Sequence, residues 1–435
     1  MKTLKHINCK NCGEILSLEI LDLGFSPPSN SFLLPNEIKE TYYPLNVFLC
    51  ENCLLVQIPE YKNAKEIFSK NYVYFSSYSQ TWLNHAQNYA REITKKLNLN
   101  RKSQVIEIAA NDGYLLQFFK DLNIPNLGIE PTSSTAKIAR QKGIEIIEDF
   151  FSSKLAQNLP KADLIIGNNV IAHIPQIRDF VKGVRIALKD SGVANFEFPH
   201  ILNLIKYNQF DTIYHEHFYY YSLHAIMDLF ARERLFIYDV DILETHGGSL
   251  RIYASKQNKP ISKNIKKVLL CEKKAHLDSA IGYKNLQKNA NKIKLDFLAL
   301  LLKIKQENKR IVGFGAAAKG NTLLNFCGVK NDFIDFVVDS NPHKQNLLLP
   351  GSHIKVLDKS ALKDARADFV WIPTWNIKDE IINDVNLLLV DSKMGGGSTQ
   401  IHSKRPQSEG YLDFAKILDS TIFTICTADS AKLVA

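Results

Sequence analysis

The sequence predicts an α/β protein: a Rossmann-like core, a small N-terminal zinc-binding segment and a second, C-terminal Rossmann-like α/β domain. Three observations lead there. From residue 104 apolar strands and amphipathic helices alternate. Two Cys-x-x-Cys pairs, Cys9/Cys12 and Cys50/Cys53, precede that region. A second strand-turn-helix pattern opens at Arg310-Ile-Val-Gly-Phe-Gly315, well beyond it. Repeated β-α units of this kind imply parallel sheets covered by helices.

At 435 residues, two or three domains are expected. A hydrophobic share of 45% with 23% charged residues is that of a globular chain. The net charge of +9 suits an anionic substrate, but its lysines and arginines are scattered, which speaks against nucleic acid. The run Lys263-Asn-Ile-Lys-Lys267 to Lys274 reads as the solvated face of a helix. No apolar run is long enough to span a bilayer, and Met1-Lys-Thr-Leu-Lys-His lacks the apolar core of a signal peptide. A cytoplasmic, monomeric protein with no membrane partner is expected.

Residues 1–70 read as loop-rich, broken by Pro27, Pro28, Pro35 and Pro44, and in need of a metal clip. The paired cysteines match a closed tetrahedral zinc site of four thiolates, structural rather than catalytic. Cys271, Cys327 and Cys426 read as buried thiols. Trp82, Leu83, Ala86, Tyr89, Ala90 and Ile93 are spaced as one face of a helix over 77–100.

The alternation then begins. Gln104–Ala109 is a strand, the loop Glu107-Ile-Ala-Ala-Asn-Asp-Gly113 follows, and a helix runs from Tyr114 to Asp121. Leu127–Pro131 is the next strand, with a helix over Ser133–Lys142. Ile144–Ile147, Asp163–Asn168 and Gly192–Glu197 continue the pattern, and His246–Tyr253 is a turn entering a strand. A turn of this kind lets a cofactor approach backbone N–H groups, with Glu107, Ala109, Asn111, Asp112 and Gly113 around it. Glu130, at the end of the next strand, can accept the two hydroxyl hydrogens of a ribose. Without a full Gly-x-Gly-x-x-Gly, an adenosyl cofactor fits better than a dinucleotide.

Tyr214-His-Glu-His217 concentrates a phenol, two imidazoles and a carboxylate, and His173 follows the strand Asp163–Asn168. An imidazole oriented by a carboxylate suits proton abstraction. Reading His215 and His217 as metal ligands finds no third ligand at a recognisable spacing. Residues 260–308 form a long helical connector. Strands are expected at Phe333–Val338 and Asp368–Ile372. Lys319, near a helix start after Gly313-Phe-Gly315, makes a phosphate site plausible. Met394-Gly-Gly-Gly-Ser-Thr begins a tail without packing pattern, so the expected domains are 1–70, 71–258, 259–390 and a tail 391–435.

Together these strings resemble the three-domain sugar C-methyltransferases that act on nucleotide-linked 4-keto-deoxyhexoses. The matching segments include both cysteine knuckles, Tyr72–Ser77, Val105–Gly113, Gly128–Pro131, Asn169–His173, Gln209–Phe218, His246–Arg251, Gly313–Lys319, Asp339–Gln345, Pro350–Ile354 and Trp375-Asn376. The resemblance implies structural Zn2+, S-adenosyl-L-methionine in the middle domain and a nucleotide-sugar substrate held with help from the last domain. It puts Tyr74, His173, Tyr214, Glu216 and His217 at active-site positions, with His217 as the base. It further implies cofactor contacts at Asp149, Phe150 and Asn168, and substrate contacts at His215, Lys319, Asn321 and Thr322. Two departures stand out: Ala109 replaces a glycine of the cofactor loop, and the tail does not follow the family's closing strand. Rival readings are an RNA or other small-molecule methyltransferase, an NAD-dependent sugar enzyme and a non-catalytic binding protein.

Overall fold

The computed structural model describes residues 7–37, 39–63, 75–394, 424–427 and 433–434. The chain divides into two compact units, and the division interleaves. The first comprises residues 1–22, 46–204 and 215–284; the second comprises 23–45, 205–214 and 285–435.

The N-terminal strands are β1 (Leu18–Ser26), β2 (Tyr43–Leu49) and β3 (Val56–Gln57). This segment is more ordered than its prolines suggest. In β2, Leu45, Val47 and Leu49 alternate inward, which fits a half-buried strand. The prolines fall between or at the ends of strands, where a missing N–H costs nothing.

The first unit's main sheet uses β4 (Val105–Ile108), β5 (Asn126–Ile129), β6 (Ile146–Ile147), β7 (Ala162–Asn168) and β8 (Leu188–Pro199). A short β9 (Tyr219–Tyr220) joins the N-terminal strands in the order β1-β2-β3-β9. Then β10 (Phe236–Leu243) and β11 (Ser249–Ser255) complete the main sheet in the order β10-β11-β8-β7-β4-β5-β6. Only β11 runs against its neighbours, pairing antiparallel with β8 and with β10. The order reverses between β4 and β7, and a ligand crevice forms at such a reversal, outside the strands' carboxyl ends.

The helix Gln80–Leu97 turns the predicted stripe inward at Ala86, Tyr89, Ala90 and Ile93. Ser79 caps it by accepting the Trp82 amide hydrogen, and Asn98 ends it in the left-handed region. Its buried face packs with Leu115, Leu116, Phe119, Val105 and Ile166 in one core.

Where a single connector helix was expected, there are two, Lys263–Lys274 and Leu286–Gln306, separated by a short turn at Ala280–Tyr283. The first buries Ile265, Val268 and Glu272, and its lysines face solvent. Cys271 is exposed rather than buried, because it lies on that outer face; Cys327 is buried as expected. The side chain of Cys426 lies outside the described residues.

In the second unit β12 (Ile311–Phe314), β13 (Val337–Val338), β14 (Val356–Leu357) and β15 (Phe369–Ile372) are parallel. The expected strand over 333–338 is reduced to β13, since residues 331–333 form a turn. In the tail, β16 (Thr424–Thr427) pairs antiparallel with β15, and β17 (Leu433–Val434) pairs with β16. The sheet order is β14-β13-β12-β15-β16-β17, with its own reversal between β12 and β15. Segments from early in the chain stitch onto this unit. The Glu40 carboxylate accepts the Gly351 amide hydrogen (2.8 Å) and pairs with His353 Nε2 (2.6 Å).

Candidate active site and zinc knuckle

Cys9, Cys12, Cys50 and Cys53 come together, every pair of sulfurs within 4.8 Å. The closest are Cys12 to Cys50 at 3.4 Å and Cys9 to Cys53 at 3.5 Å. Tetrahedral zinc with bonds of about 2.3 Å needs sulfurs about 3.8 Å apart, so the four thiols fit the metal as they stand. Each knuckle is the same turn: Gly13 N–H donates to Cys9 O, and Leu54 N–H donates to Cys50 O. Both Gly13 and Leu54 have positive φ, a conformation that costs leucine and not glycine. Among the described residues no other His/Cys/Asp/Glu group is arranged for a metal, and His215 and His217 belong to none.

At the reversal of the first main sheet, the loop after β4 is tightly wound. Ala109, Asn111 and Gly113 all have positive φ (57°, 50° and 74°). That explains the usual glycine at the Ala109 position: an alanine there carries strain that glycine would not. Glu130 clamps the loop, Oε2 accepting the Asn111 amide hydrogen and Oε1 that of Thr132, both at 2.9 Å. Burial raises its pKa, while the bonds from Thr132 and Asn111 oppose that rise. Glu107 is buried in β4, and burial lifts its carboxyl well above the ordinary range against a hydrogen bond from Tyr114.

The residues fit an adenosyl cofactor with an amino-acid tail. Glu107 Oε2 and Asn168 Oδ1 are buried acceptors with no hydrogen-bond partner among the described residues. Of the wound loop's small residues, Ala109 is half-buried and Ala110 and Gly113 are buried. Asn111 and Asp112 spend part of their side chains differently, accepting the amide hydrogens of Ser76 (2.9 Å) and Ser77 (3.1 Å). Asp149 is exposed and takes the Phe150 amide hydrogen, and Phe150 is half-buried.

Within Tyr214–His217, His215 and Glu216 form a turn. Phe218 N–H donates to Ala172 O (2.7 Å), and Tyr219 OH donates to Pro175 O (2.7 Å). These bonds bracket His173, whose ring centre lies 4.6 Å from that of His217, edge to face. Burial lowers the His173 pKa to about 4, against a hydrogen bond to the Glu216 backbone, so the ring is neutral at physiological pH. Glu216 and His215 are buried, and His215 meets the Tyr61 ring edge-on at 6.4 Å. His173, Glu216 and His217 are thus brought together, while His215 faces the Tyr61 side. Tyr214 is half-buried. Tyr74 lies outside the described residues.

Sequence reasoning left a further polar network on this unit unassigned. Glu197 of β8 pairs with His85 (3.0 Å) and Arg251, and accepts the Thr245 hydroxyl (2.7 Å). Burial alone would raise its pKa, but these partners hold it at about 2. Trp82 stacks on His85 and on Tyr114 and meets the His246 ring edge-on at 5.0 Å. Asn169, next to β7, bonds His246 (2.8 Å), and both have positive φ. The signal was present in His246-Gly-Gly and Asn168-Asn169, since such backbone angles at non-glycine residues cluster at functional sites.

In the second unit, Lys319 Nζ donates to Asn376 Oδ1 (2.8 Å) and sits 4.2 Å over the Trp375 ring. Burial lowers its pKa to about 8, opposed by the Asp211 charge. Burial also raises Asp211 to about 7, and the Trp375 indole N–H donates to it (2.7 Å). Asn321 and Thr322 do not line an open surface. Both are buried, Asn321 donating to Ser29 O and Thr322 to Ile213 O, so their side chains hold this unit together.

A wound loop at a sheet reversal, an acid at the next strand end and a four-cysteine knuckle define a Rossmann-like methyltransferase with a zinc-binding segment. Family models agree with each part: a zinc binding domain over residues 9–68, a methyltransferase domain over 82–233 and a C-methyltransferase C-terminal domain over 244–392. The C-methyltransferase NovU of Streptomyces niveus is 27% identical over 384 residues, covering 86% of this chain and 91% of NovU. Among solved structures, a possible histamine N-methyltransferase from Thermotoga maritima aligns at 18% identity and a TM-score of 0.34, over 45% of this chain and all of that one. An S-adenosylmethionine-dependent methyltransferase from Clostridium acetobutylicum aligns at 14% and 0.33, over 39% and 89%. In chain order, then, the three models give this chain an N-terminal zinc-binding domain, a methyltransferase domain and a C-methyltransferase C-terminal domain, and NovU is similar along most of that length. It is an S-adenosylmethionine-dependent enzyme that binds zinc.

Proposed function

We propose that the enzyme methylates C-3 of a nucleotide-linked 4-keto-deoxyhexose, with His217 as the base. The observation that carries this reading is the His173–His217 pair, two imidazoles with ring centres 4.6 Å apart, held by the bonds from the Phe218 amide and the Tyr219 hydroxyl to the segment that follows β7. A carbon beside a ketone is acidic because its carbanion is an enolate, and a held imidazole can take that proton. His217 accepts the C-3 hydrogen, and the C–H electron pair moves toward the ketone oxygen. Glu216 orients the base, while Tyr214 and Tyr74 steady the developing oxyanion. His173, neutral because burial holds its pKa to about 4, gives His217 an uncharged neighbour. A charged one would lower the base's affinity for the proton.

Bound S-adenosylmethionine supplies an electrophilic methyl group. Glu130 is assigned to the ribose hydroxyls, and Glu107, Ala109, Asn111, Asp112, Gly113, Asp149, Phe150 and Asn168 to the rest of its site. Lys319 is assigned to the substrate's phosphates and His215 to the sugar. Asn321 and Thr322, closed off as they are, support Lys319 from within the same helix.

The test is incubation of candidate nucleotide 4-keto-sugars with enzyme and cofactor, read by mass spectrometry. A gain of one methylene unit on the ring carbon beside the ketone is expected. Methylation on oxygen, or of RNA instead, would refute the reading. Independently, wild-type enzyme without methyl donor should exchange the C-3 hydrogen with deuterated solvent.

A further inference from the structure

We infer that Gln57 is a positioning residue coupling the zinc knuckle to the turn that carries His217, so the metal helps set the acid–base geometry. Gln57 is 1% exposed, and both ends of its carboxamide are committed to the first knuckle. Nε2 donates to Cys9 Sγ (3.1 Å), and Oε1 accepts the Lys10 amide hydrogen (3.0 Å). The same residue's backbone lies in β3, opposite Phe48 on one side and Tyr219 on the other. One residue further, Ile58 N–H donates to Phe218 O (3.0 Å). Phe218 and Tyr219 in turn bond Ala172 and Pro175, on either side of His173. A short path thus runs from a metal-ligand sulfur through one side chain and one strand pairing to both imidazoles.

The metal strengthens the first link in that path. A zinc-bound thiolate is a better hydrogen-bond acceptor than a thiol, and outer partners of metal ligands commonly orient what surrounds them. The knuckle also has a separate anchor. Asn11 Nδ2 donates to Asp228 (2.8 Å), and Arg178 donates to Asn11 O (3.2 Å). Removing the Gln57 carboxamide therefore leaves the cysteines and their support in place.

The test compares full-length wild type with Gln57→Leu, of similar volume but with no polar end. Zinc content stays near one per chain, and affinity for S-adenosylmethionine stays within about twofold, since β4 and its loop are untouched. Amide hydrogen exchange at Phe218–Tyr220 rises by about tenfold or more, and kcat falls about tenfold, more than KM changes. Gln57→Glu sets a carboxylate against the thiolates and is expected to be worse. If Gln57→Leu fails to fold, reversible zinc removal from wild type decides. Protection at Phe218–Tyr220 is then lost and regained with metal, while β4 and β7 keep theirs.

Unchanged exchange at Phe218–Tyr220 in both the variant and the stripped enzyme would overturn the coupling. The kinetic arm alone rests on His217 being the base. Faster exchange with normal turnover would therefore leave the coupling standing and overturn that assignment.

Discussion

The two Rossmann-like sheets use the same clamp with opposite electrostatics. In the first unit, Glu130 at the end of β5 holds the loop after β4 through the Asn111 amide. In the second, Asp339 just past β13 holds the loop after β12 through the Ala316 amide (2.7 Å). The difference lies in the company each acid keeps. Asp339 faces the Lys344 ammonium at 3.6 Å, and Lys344 also donates to Ala316 O (2.9 Å). Among the described residues Glu130 has no ion-pair partner; burial raises its pKa, and the backbone amides of Asn111 and Thr132 oppose that rise together with the Thr132 and Thr135 side chains. A carboxylate without a cation keeps lone pairs for hydroxyl donors, as a ribose offers. A carboxylate already neutralised by lysine leaves a loop better suited to an anion. The same fold element thus stands in two different charge environments, and the imidazole pair of His173 and His217 belongs to the first unit.

The largest expected effect breaks that asymmetry at its chemical end. His217→Asn keeps polarity and approximate size but cannot take a proton. Turnover should fall by about 10² or more with both ligands still bound. Solvent exchange of the substrate's C–H should vanish with it. Near-normal turnover would move the base to His173 or His215. Next come the clamps themselves. Glu130→Ala should weaken S-adenosylmethionine more than tenfold, the equivalent of roughly 1.5–3 kcal/mol for a charge-assisted contact. Asp339→Ala should leave that affinity unchanged in the same titration. Equal losses would mean that both acids act only on the fold.

The elements that carry chemistry were the ones legible in the sequence. The two cysteine knuckles are local turns, and the Glu107–Gly113 loop and Glu130 sit at strand ends, where short motifs and local spacing dictate geometry. What stayed hidden depended on distant pairing. The strands β1 and β2 were masked by prolines, of which Pro27, Pro28 and Pro35 fall between the two strands and Pro44 is the second residue of β2. The network of His85, Glu197 and Arg251 joins residues 112 and 54 positions apart, and no local pattern announces it. Asn321 and Thr322 look like loop ligands in a Gly-x-Gly context, yet their partners, Ser29 and Ile213, come from far upstream. Gln57 offers no signal at all until β3 is seen beside β9.

A smaller effect sharpens the comparison at the loop. Ala109 holds φ at 57° where its counterpart turn in the second unit uses Gly315 at φ 105°. Ala109→Gly should relieve strain of about 1 kcal/mol, partly offset by glycine's greater freedom in the unfolded chain. A small rise in Tm with unchanged cofactor affinity is expected. A fall in Tm would show that the loop does not pull Ala109 into that conformation in solution.

The last effect is read from pH. His173 has its pKa lowered to about 4 by burial, while the unfolded chain's histidine titrates near 6.5. Between those values the unfolded state holds a proton that the native state does not. Stability therefore falls as pH drops from about 6.5 toward 4, by at most of order 1 kcal/mol per pH unit from this group. Glu197 works in a lower window. Its partners hold it at about 2, so its contribution is present above about 4.5 and lost only as pH falls toward 2. The two windows barely overlap, which makes the histidine separable. His173→Asn should flatten the stability profile between pH 6.5 and 4.5 in denaturant titrations and leave the acid limb below 4.5 in place. An unaltered slope in the upper window would show that the His173 ring is solvated in solution. It would then be free to charge beside His217, and the neutral neighbour assigned to the base would be lost.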